Sequence, residues 1–288
     1  MLTLHIGLPK TGTTYLQKNV WPKAPELLLV HRLQGPQAET VCMDLRRYVR
    51  ANALAAALLR YRIRRALLRE AARAAAEGRA MLVSAENISV HSIAFWRGSD
   101  PDPEHVARRL ADLAHSAGRP LAPVRVIIGI RRQDQWLASR YAGSGKDLPE
   151  LSQADFDRRL TGIVRSRELA GGLAWLDHAR VHAAFAAVLG PGNVHLYRLE
   201  DIGSDPVRTV ERMGRFIRGE TAGAALRRIA AEERPAPRNV LSVGGNAWRL
   251  RSDRSRLLLR PELALAVQER FRASNAALEA VLRDGGGC

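Results

Sequence analysis

The sequence predicts a three-layer α/β fold: a central, mainly parallel sheet flanked by helices, with a helical C-terminal portion. Three observations predict it. Short apolar runs alternate with helical patterns at the spacing of βαβ units. The clearest run, VRVIIGI at 124–130, is apolar on both faces, as a strand buried in a parallel sheet must be. The first run, LTLHIG at 2–7, passes straight into a glycine-rich turn and then into a helical pattern.

The elements follow in order. LTLHIG reads as a buried strand and TTYLQKNVW as the helix after it. LLLV (27–30) is a second short strand. Residues 43–77 form one long Arg- and Ala-rich helical stretch, with Leu54, Leu58, Tyr61 and Leu68 as its apolar side. AMLVSAEN (80–87) is a buried strand with a polar end. PDPEHVARRLADLAHSAG is a helix opened by Asp and Pro and closed by Gly118. After 124–130, RRQDQWLASRY begins a helix at once, and GSGKDLPE (143–150) is a loop. ELAGGLAWLDHARVHAAFAAVLG reads as a helix ending at Gly190, NVHLYRL (193–199) as a strand and DPVRTVERMGRFI as a helix. The last third reads as helical, broken at RPAPRN (234–239) and at Gly244–Gly245. Without a repeat or a clear boundary, the 288 residues are expected to form one domain, an α/β core over 1–220 and a helical extension over 221–288.

Composition narrows the function. Hydrophobic residues make up 46% of the chain, enough for a packed core, yet no run approaches the ~20 apolar residues of a membrane span. The opening residues read as a strand and not as an export signal, so a cytoplasmic location is expected. Cys42 and Cys288 are expected to stay reduced, Cys288 ending the chain after three glycines. The formal charge of +16 calls for anionic partners: a polyanionic cofactor, an acidic acceptor, nucleic acid or a lipid surface. All but four of the 45 basic residues are arginine, the exceptions being Lys10, Lys18, Lys23 and Lys146. In a chain so biased, a lysine inside a glycine-rich loop marks a place that needs a compact point charge.

That loop is GLPKTGTT, residues 7–14. A Walker P-loop reads G-x-x-x-x-G-K-[ST]. Gly7, Gly12 and Thr14 fit that frame, but Thr13 stands at the lysine position and the lysine comes three residues earlier, at Lys10. A strand, a glycine-rich turn and a helix N-terminus still make an anion site of the P-loop type, with free N–H groups pointing outward. Thr13 and Thr14 are expected to add hydroxyl donors, and Lys10 to reach over the anion. The displaced lysine, and the lack of a Walker-B Asp after a strand, count against a Mg²⁺-dependent kinase; no metal site is expected. A second constellation, IRRQDQWLASRY (130–141), puts Arg131 at the end of a buried strand and Ser139 eight residues on, where both are candidates to grip a further phosphate.

Together these motifs resemble the sulfotransferases that use 3′-phosphoadenosine 5′-phosphosulfate (PAPS). PKTGTT, that is Pro9, Lys10, Thr11, Gly12, Thr13 and Thr14, matches the family's 5′-phosphosulfate loop [PK]-K-[ST]-G-T-[ST]. Arg131 and Ser139 match its 3′-phosphate motif. Many members have Arg-Asp-Pro after the strand, whereas this chain has Arg131-Arg132-Gln133. That variant, and the opening HIGLPKTGTTYLQ, resemble the bacterial branch. LVSAENIS resembles the acidic strand end of carbohydrate sulfotransferases. NVHLYRLEDIGSDPVRTVERMGRFI resembles the family's later strand and helix. The likeness runs over roughly residues 1–245.

The resemblance implies PAPS as donor, PAP (3′-phosphoadenosine 5′-phosphate) as product, Lys10 near the leaving oxygen, and a sugar, glycolipid or small metabolite as acceptor. Family members use a His or a Glu as base. Glu86, at the end of a predicted strand, is the first candidate, with His91 and His31 behind it and helix capping or ion pairing as its structural alternative. A basic C-terminal loop often covers the cofactor in the family, which points to Arg234 and Arg238; an exposed turn is the alternative. His5 is expected to be a packed residue of the first strand. Trp136, Tyr141 and Tyr197 are read as core, with nucleotide or acceptor contact as the other reading. The Arg-rich helix over 46–73 is a solvated face or a dock for an acidic polymer. A nucleotide kinase and a basic nucleic-acid-binding protein are the rival functions. Only 5% of residues are aromatic and no nucleic-acid-reading motif is present, so nucleic acid is not an expected partner, while membrane-surface association stays open.

Overall fold

The computed structural model describes residues 1–115, 121, 123–145, 148–233 and 241–284. Its centre is a parallel five-stranded sheet. The strands are β1 (Leu2–His5), β2 (Leu27–His31), β3 (Ala80–Ser84), β4 (Val124–Ile130) and β5 (Val194–Arg198), in the order β2-β3-β1-β4-β5. Chain direction across the sheet reverses at β1, which lies between β3 and β4. In parallel sheets that switch point opens a crevice at the C-terminal strand ends.

Alternation along each strand feeds two apolar layers, as the pleat requires. Leu4, Val83, Val126 and Ile128 enter the larger core, while Leu82, Ile127 and Tyr197 enter the smaller one on the opposite face. Helices α2 (Pro36–Tyr48), α3 (Ala53–Ala76), α5 (Pro103–His115), α6 (Gln133–Ala142), α7 (Gln153–Arg165) and α8 (His178–Leu189) contribute to the larger core. The smaller is closed by α1 (Thr13–Tyr15) with its π-helical continuation Leu16–Val20, and by α10 (Pro206–Arg218) and α11 (Glu220–Glu232). Short α4 (Ser92–Trp96) and α9 (Leu199–Ser204) follow β3 and β5.

Side-chain caps set several helix starts. Asn52 accepts from the Ala55 N–H at 3.0 Å, Asp177 from Arg180 at 3.0 Å and Asp205 from Arg208 at 3.0 Å. Two of these caps correct the sequence reading. The single helix expected over 43–77 is two, α2 and α3, parted before the Asn52 cap. The helix expected from 168 to 190 is a 3₁₀ segment, Gly171–Leu176, followed by α8 behind its Asp177 cap.

The C-terminal portion also differs from expectation. Helices α11, α12 (Pro261–Arg270) and α13 (Arg272–Asp284) are present. Between them stands an antiparallel sheet of β6 (Ser242–Gly244), β7 (Ala247–Arg249) and β8 (Arg256–Leu258). It is held by Trp248 and Leu257, both buried in the larger core. Strands of three residues are too short to show a period, so the sequence pattern does not reveal them.

Candidate active site

The backbone beyond β1 keeps its pairing with β4. Ile6 N–H donates to Ile127 and Leu8 N–H to the Gly129 carbonyl, at 3.0 and 2.9 Å. The chain then turns sharply. Lys10 and Gly12 both take left-handed backbone angles, φ 70° and 84°. For lysine that conformation is costly and persists only where the surroundings impose it. Leu8 to Thr11 closes a turn, and the N–H groups of Lys10, Gly12, Thr13 and Thr14 donate to no backbone carbonyl among the described residues. Successive N–H groups in such a turn have the arrangement of an anion nest, here just past the C-terminal end of β1.

Glycine is required where the loop crosses β4. A Cβ on Gly7 would stand 2.8 Å from the Gly129 nitrogen. A Cβ on Gly129 would stand 2.4 Å from the Tyr197 hydroxyl and 2.6 Å from Thr11 Oγ1. The loop is thus pressed onto β4 and β5 with no room for side chains between them.

Beneath it runs a buried polar chain. Gln17 Nε2 donates to Ser84 Oγ at 2.8 Å. His5 joins Ser84 Oγ through Nδ1 and Tyr197 Oη through Nε2, each at 3.0 Å. Tyr197 bonds to Thr11, whose hydroxyl donates to the Leu8 carbonyl. A neutral His5 satisfies every group in one direction, from Gln17 to Leu8. Burial, aided by the nearby His31 charge, pushes His5 down to about 3, so the neutral form is the one present. His5 and Tyr197 are core residues, as the sequence suggested.

Thr11 and Thr13 do not offer their hydroxyls to the nest. Thr13 Oγ1 donates to Glu86 Oε2, just past β3. Thr13, expected as a hydroxyl donor, thus gives its proton to Glu86 in this structure. Thr14 is exposed and keeps that capacity. Glu86 begins a 3₁₀ turn, Glu86–Ile88, tied to the loop where Ser89 Oγ donates to the Gly7 carbonyl at 3.4 Å.

Lys10 extends toward the end of α6, where a Cβ on Gly143 would lie 3.3 Å from its Cε. Its pKa is lowered from the ordinary lysine value, first by burial and then by Arg251 and Arg140, with Glu86 opposing and Arg131 adding slightly. Glu86 and three arginines thus lie near enough to Lys10 to act on its charge. Arg251 and Arg140 were missed in the sequence. Arg251 arrives because its N–H donates to the Ala142 carbonyl at 2.9 Å, docking the small sheet onto α6. Arg140 follows Ser139, a signal available only once α6 is known to face the loop.

Arg131 directly follows β4, half buried and without an ion pair to a described residue. Burial lowers its pKa against the pull of Glu200 and Asp134. Its neighbour Arg132 is committed elsewhere, gripping Asp134 with two hydrogen bonds of 2.8 and 2.9 Å. Ser139 lies two turns along α6, and its hydroxyl bonds to no described residue. Trp136, between them, is core: its indole donates to the Pro9 carbonyl at 2.6 Å. Tyr141 is core as well, donating to Asp155 at 2.9 Å.

The other base candidates sit differently. His31 is buried at the end of β2 and pushed down to about 4 by burial, Arg32 and Lys18. His91 contacts Arg46 through Nε2 at 2.7 Å, and burial and its arginine neighbours lower its pKa. Neither contacts a loop residue through a hydrogen bond. Arg234 and Arg238 lie outside the described residues, as does Cys288. Cys42 is a free thiol, pushed up to about 11 by burial.

No protein-family model and no curated protein matches this chain. Solved structures do. The crystal structure of a sulfotransferase from Alicyclobacillus acidocaldarius aligns with 98% of this chain and 95% of its own, at TM-score 0.52 and 16% identity. The chain has a sulfotransferase fold. Two other matches are mouse sulfotransferase SULT7A1 complexed with PAP (TM-score 0.45, 13% identity, 96% of this chain and 88% of that one) and the sulfotransferase domain from the curacin biosynthetic pathway (0.44, 12%, 97% and 97%).

Proposed function

We propose that the chain is a PAPS-dependent sulfotransferase acting on an acceptor hydroxyl, on a sugar, glycolipid or small metabolite. The observation that carries this reading is the convergence of the N–H nest, Lys10, Glu86 and the Arg131–Ser139 pair at the switch point. These residues fit a bisphosphorylated nucleotide. The nest and Lys10 suit its 5′ end, and the half-buried Arg131, with Ser139, suits a second phosphate. Bound there, PAPS supplies a sulfuryl group on a phosphate leaving group.

The chain's own residues do the rest by position and charge. Lys10 holds a positive charge that burial and three arginines make unfavourable when no anion is present, so it favours an anion strongly. The N–H groups of the loop need no reorganisation to receive negative charge. Glu86 is suited to take the acceptor proton, and the Thr13 hydroxyl holds one of its oxygens so that the other is left to face an acceptor. The kinase reading is weaker because Thr13, which would need to be the lysine of a Walker loop, is spent on Glu86.

Calorimetric titration with PAP, and with ATP with and without Mg²⁺, tests the proposal. Micromolar, metal-independent binding of PAP is expected. Metal-dependent ATP binding without PAP affinity would put the kinase reading first.

A further inference from the structure

Helix α3 departs from the sequence expectation: of the four apolar positions named there, only Leu68 packs against the core. Ile63 and Leu67 are buried, while Leu54, Leu58 and Tyr61 are 77%, 66% and 68% exposed. At 100° per residue, Leu54, Leu58, Tyr61, Arg65 and Arg69 fall within an arc of about 80°. The solvent face of this helix, about 36 Å long, is therefore apolar in its first half and cationic in its second. Arg65 and Arg69 make no ion pair with a described residue. Beside this face a groove of about 630 Å³ runs between α2, α3 and the edge strand β2. It is lined by apolar Leu28, Val30 and Ile63, by Arg65 and Arg69, and by two carboxylates already paired with arginines, Asp44 with Arg62 and Glu70 with Arg73.

We infer that this face of α3, with its groove, docks the protein on an anionic lipid surface. The inference stands apart from the chemistry of the loop. Charge complementarity selects the occupant. Leucines and a tyrosine beside a row of arginines suit the boundary between acyl chains and anionic headgroups, where both halves are satisfied together. A water-soluble polyanion would meet the arginines and leave Leu54, Leu58 and Tyr61 in water. A second copy would set arginines against arginines if parallel, and arginines against leucines if antiparallel.

The test is co-sedimentation of the full chain with vesicles of phosphatidylcholine alone or with phosphatidylglycerol added. Binding to the anionic vesicles only is expected. Both R65E/R69E and L54S/L58S/Y61S are expected to weaken it at least about ten-fold. All five positions face solvent, so unchanged thermal midpoints by circular dichroism should accompany the loss. Tyr61→Trp, a mild change, should show a blue shift of its added indole emission with anionic vesicles alone. The inference is overturned if the wild type stays in solution, if either multiple variant binds as the wild type does, or if the added emission of Tyr61→Trp does not move. Retained binding by the serine variant alone would mark a polyanion site. A dimer in sedimentation equilibrium that the serine variant dissolves, without vesicle binding, would mark a second copy.

Discussion

The Trp136 indole N–H donates to the Pro9 carbonyl at 2.6 Å, joining α6 to the loop that follows β1. The two motifs singled out in the sequence are thus one mechanical unit. Trp136→Phe keeps most of the packing and leaves a buried carbonyl unpaired. It should cost about 1–3 kcal/mol in denaturant unfolding and weaken PAP binding. Unchanged stability and affinity would show that the loop holds its shape without this tie.

Lys10 and Glu86 should separate cleanly in kinetics. Lys10→Ala should abolish transfer. Glu86→Gln should leave PAP affinity intact and cut turnover by ~10²-fold or more, as loss of a general base does. Normal turnover in Glu86→Gln would remove Glu86 as the base. Because the Lys10 pKa lies below the ordinary lysine value, PAP affinity should fall as pH rises toward 10, before free lysine titrates. Calorimetry across alkaline pH checks this, with Lys10→Ala as the variant that lacks the added slope.

Gly129 is the point of closest approach between the loop and the sheet. Gly129→Ala should destabilise by about 3 kcal/mol or prevent folding, since its methyl would overlap Tyr197 and Thr11. Gly162, inside α7, meets nothing within 4 Å. Gly162→Ala should be neutral or stabilise by up to about 1 kcal/mol. Similar thermal midpoints for the two variants would contradict this account of the loop.

Three buried histidines and the half-buried His195 should govern acid stability. Burial is the first cause in each, pushing His5 to about 3 and His31, His178 and His195 to about 4. Each binds its proton more weakly folded than unfolded, where the usual value is about 6.5. Their contribution is complete above pH 6.5 and is lost as pH falls toward 4. Urea unfolding from pH 7.5 down to pH 4.5 should show a steadily falling stability; a flat profile would mean these rings are protonated in the folded state.

The strands and the loop were legible because their signals are local. A parallel strand buried on both faces must be a nearly unbroken apolar run, and a tight anion loop needs glycines at fixed offsets. Hence 2–7, 80–87, 124–130 and 193–199 all contain the strands they predicted, and Lys10, Glu86, Arg131 and Ser139 all stand at the C-terminal side of the sheet. The apolar side of α3 was misread for the complementary reason. Apolar residues recur at helical spacing on both its faces, and spacing alone does not say which face has a neighbour.

The sequence by itself determined the α/β alternation and the glycine-bearing loop after the first strand. Only the tertiary structure decided that Thr13 serves Glu86, that Arg140 and Arg251 close on Lys10, and that Leu54, Leu58 and Tyr61 face outward. Those facts are contacts between residues far apart in the chain. Such contacts depend on how strands are ordered and which helix face is covered, and neither is encoded in any one short stretch.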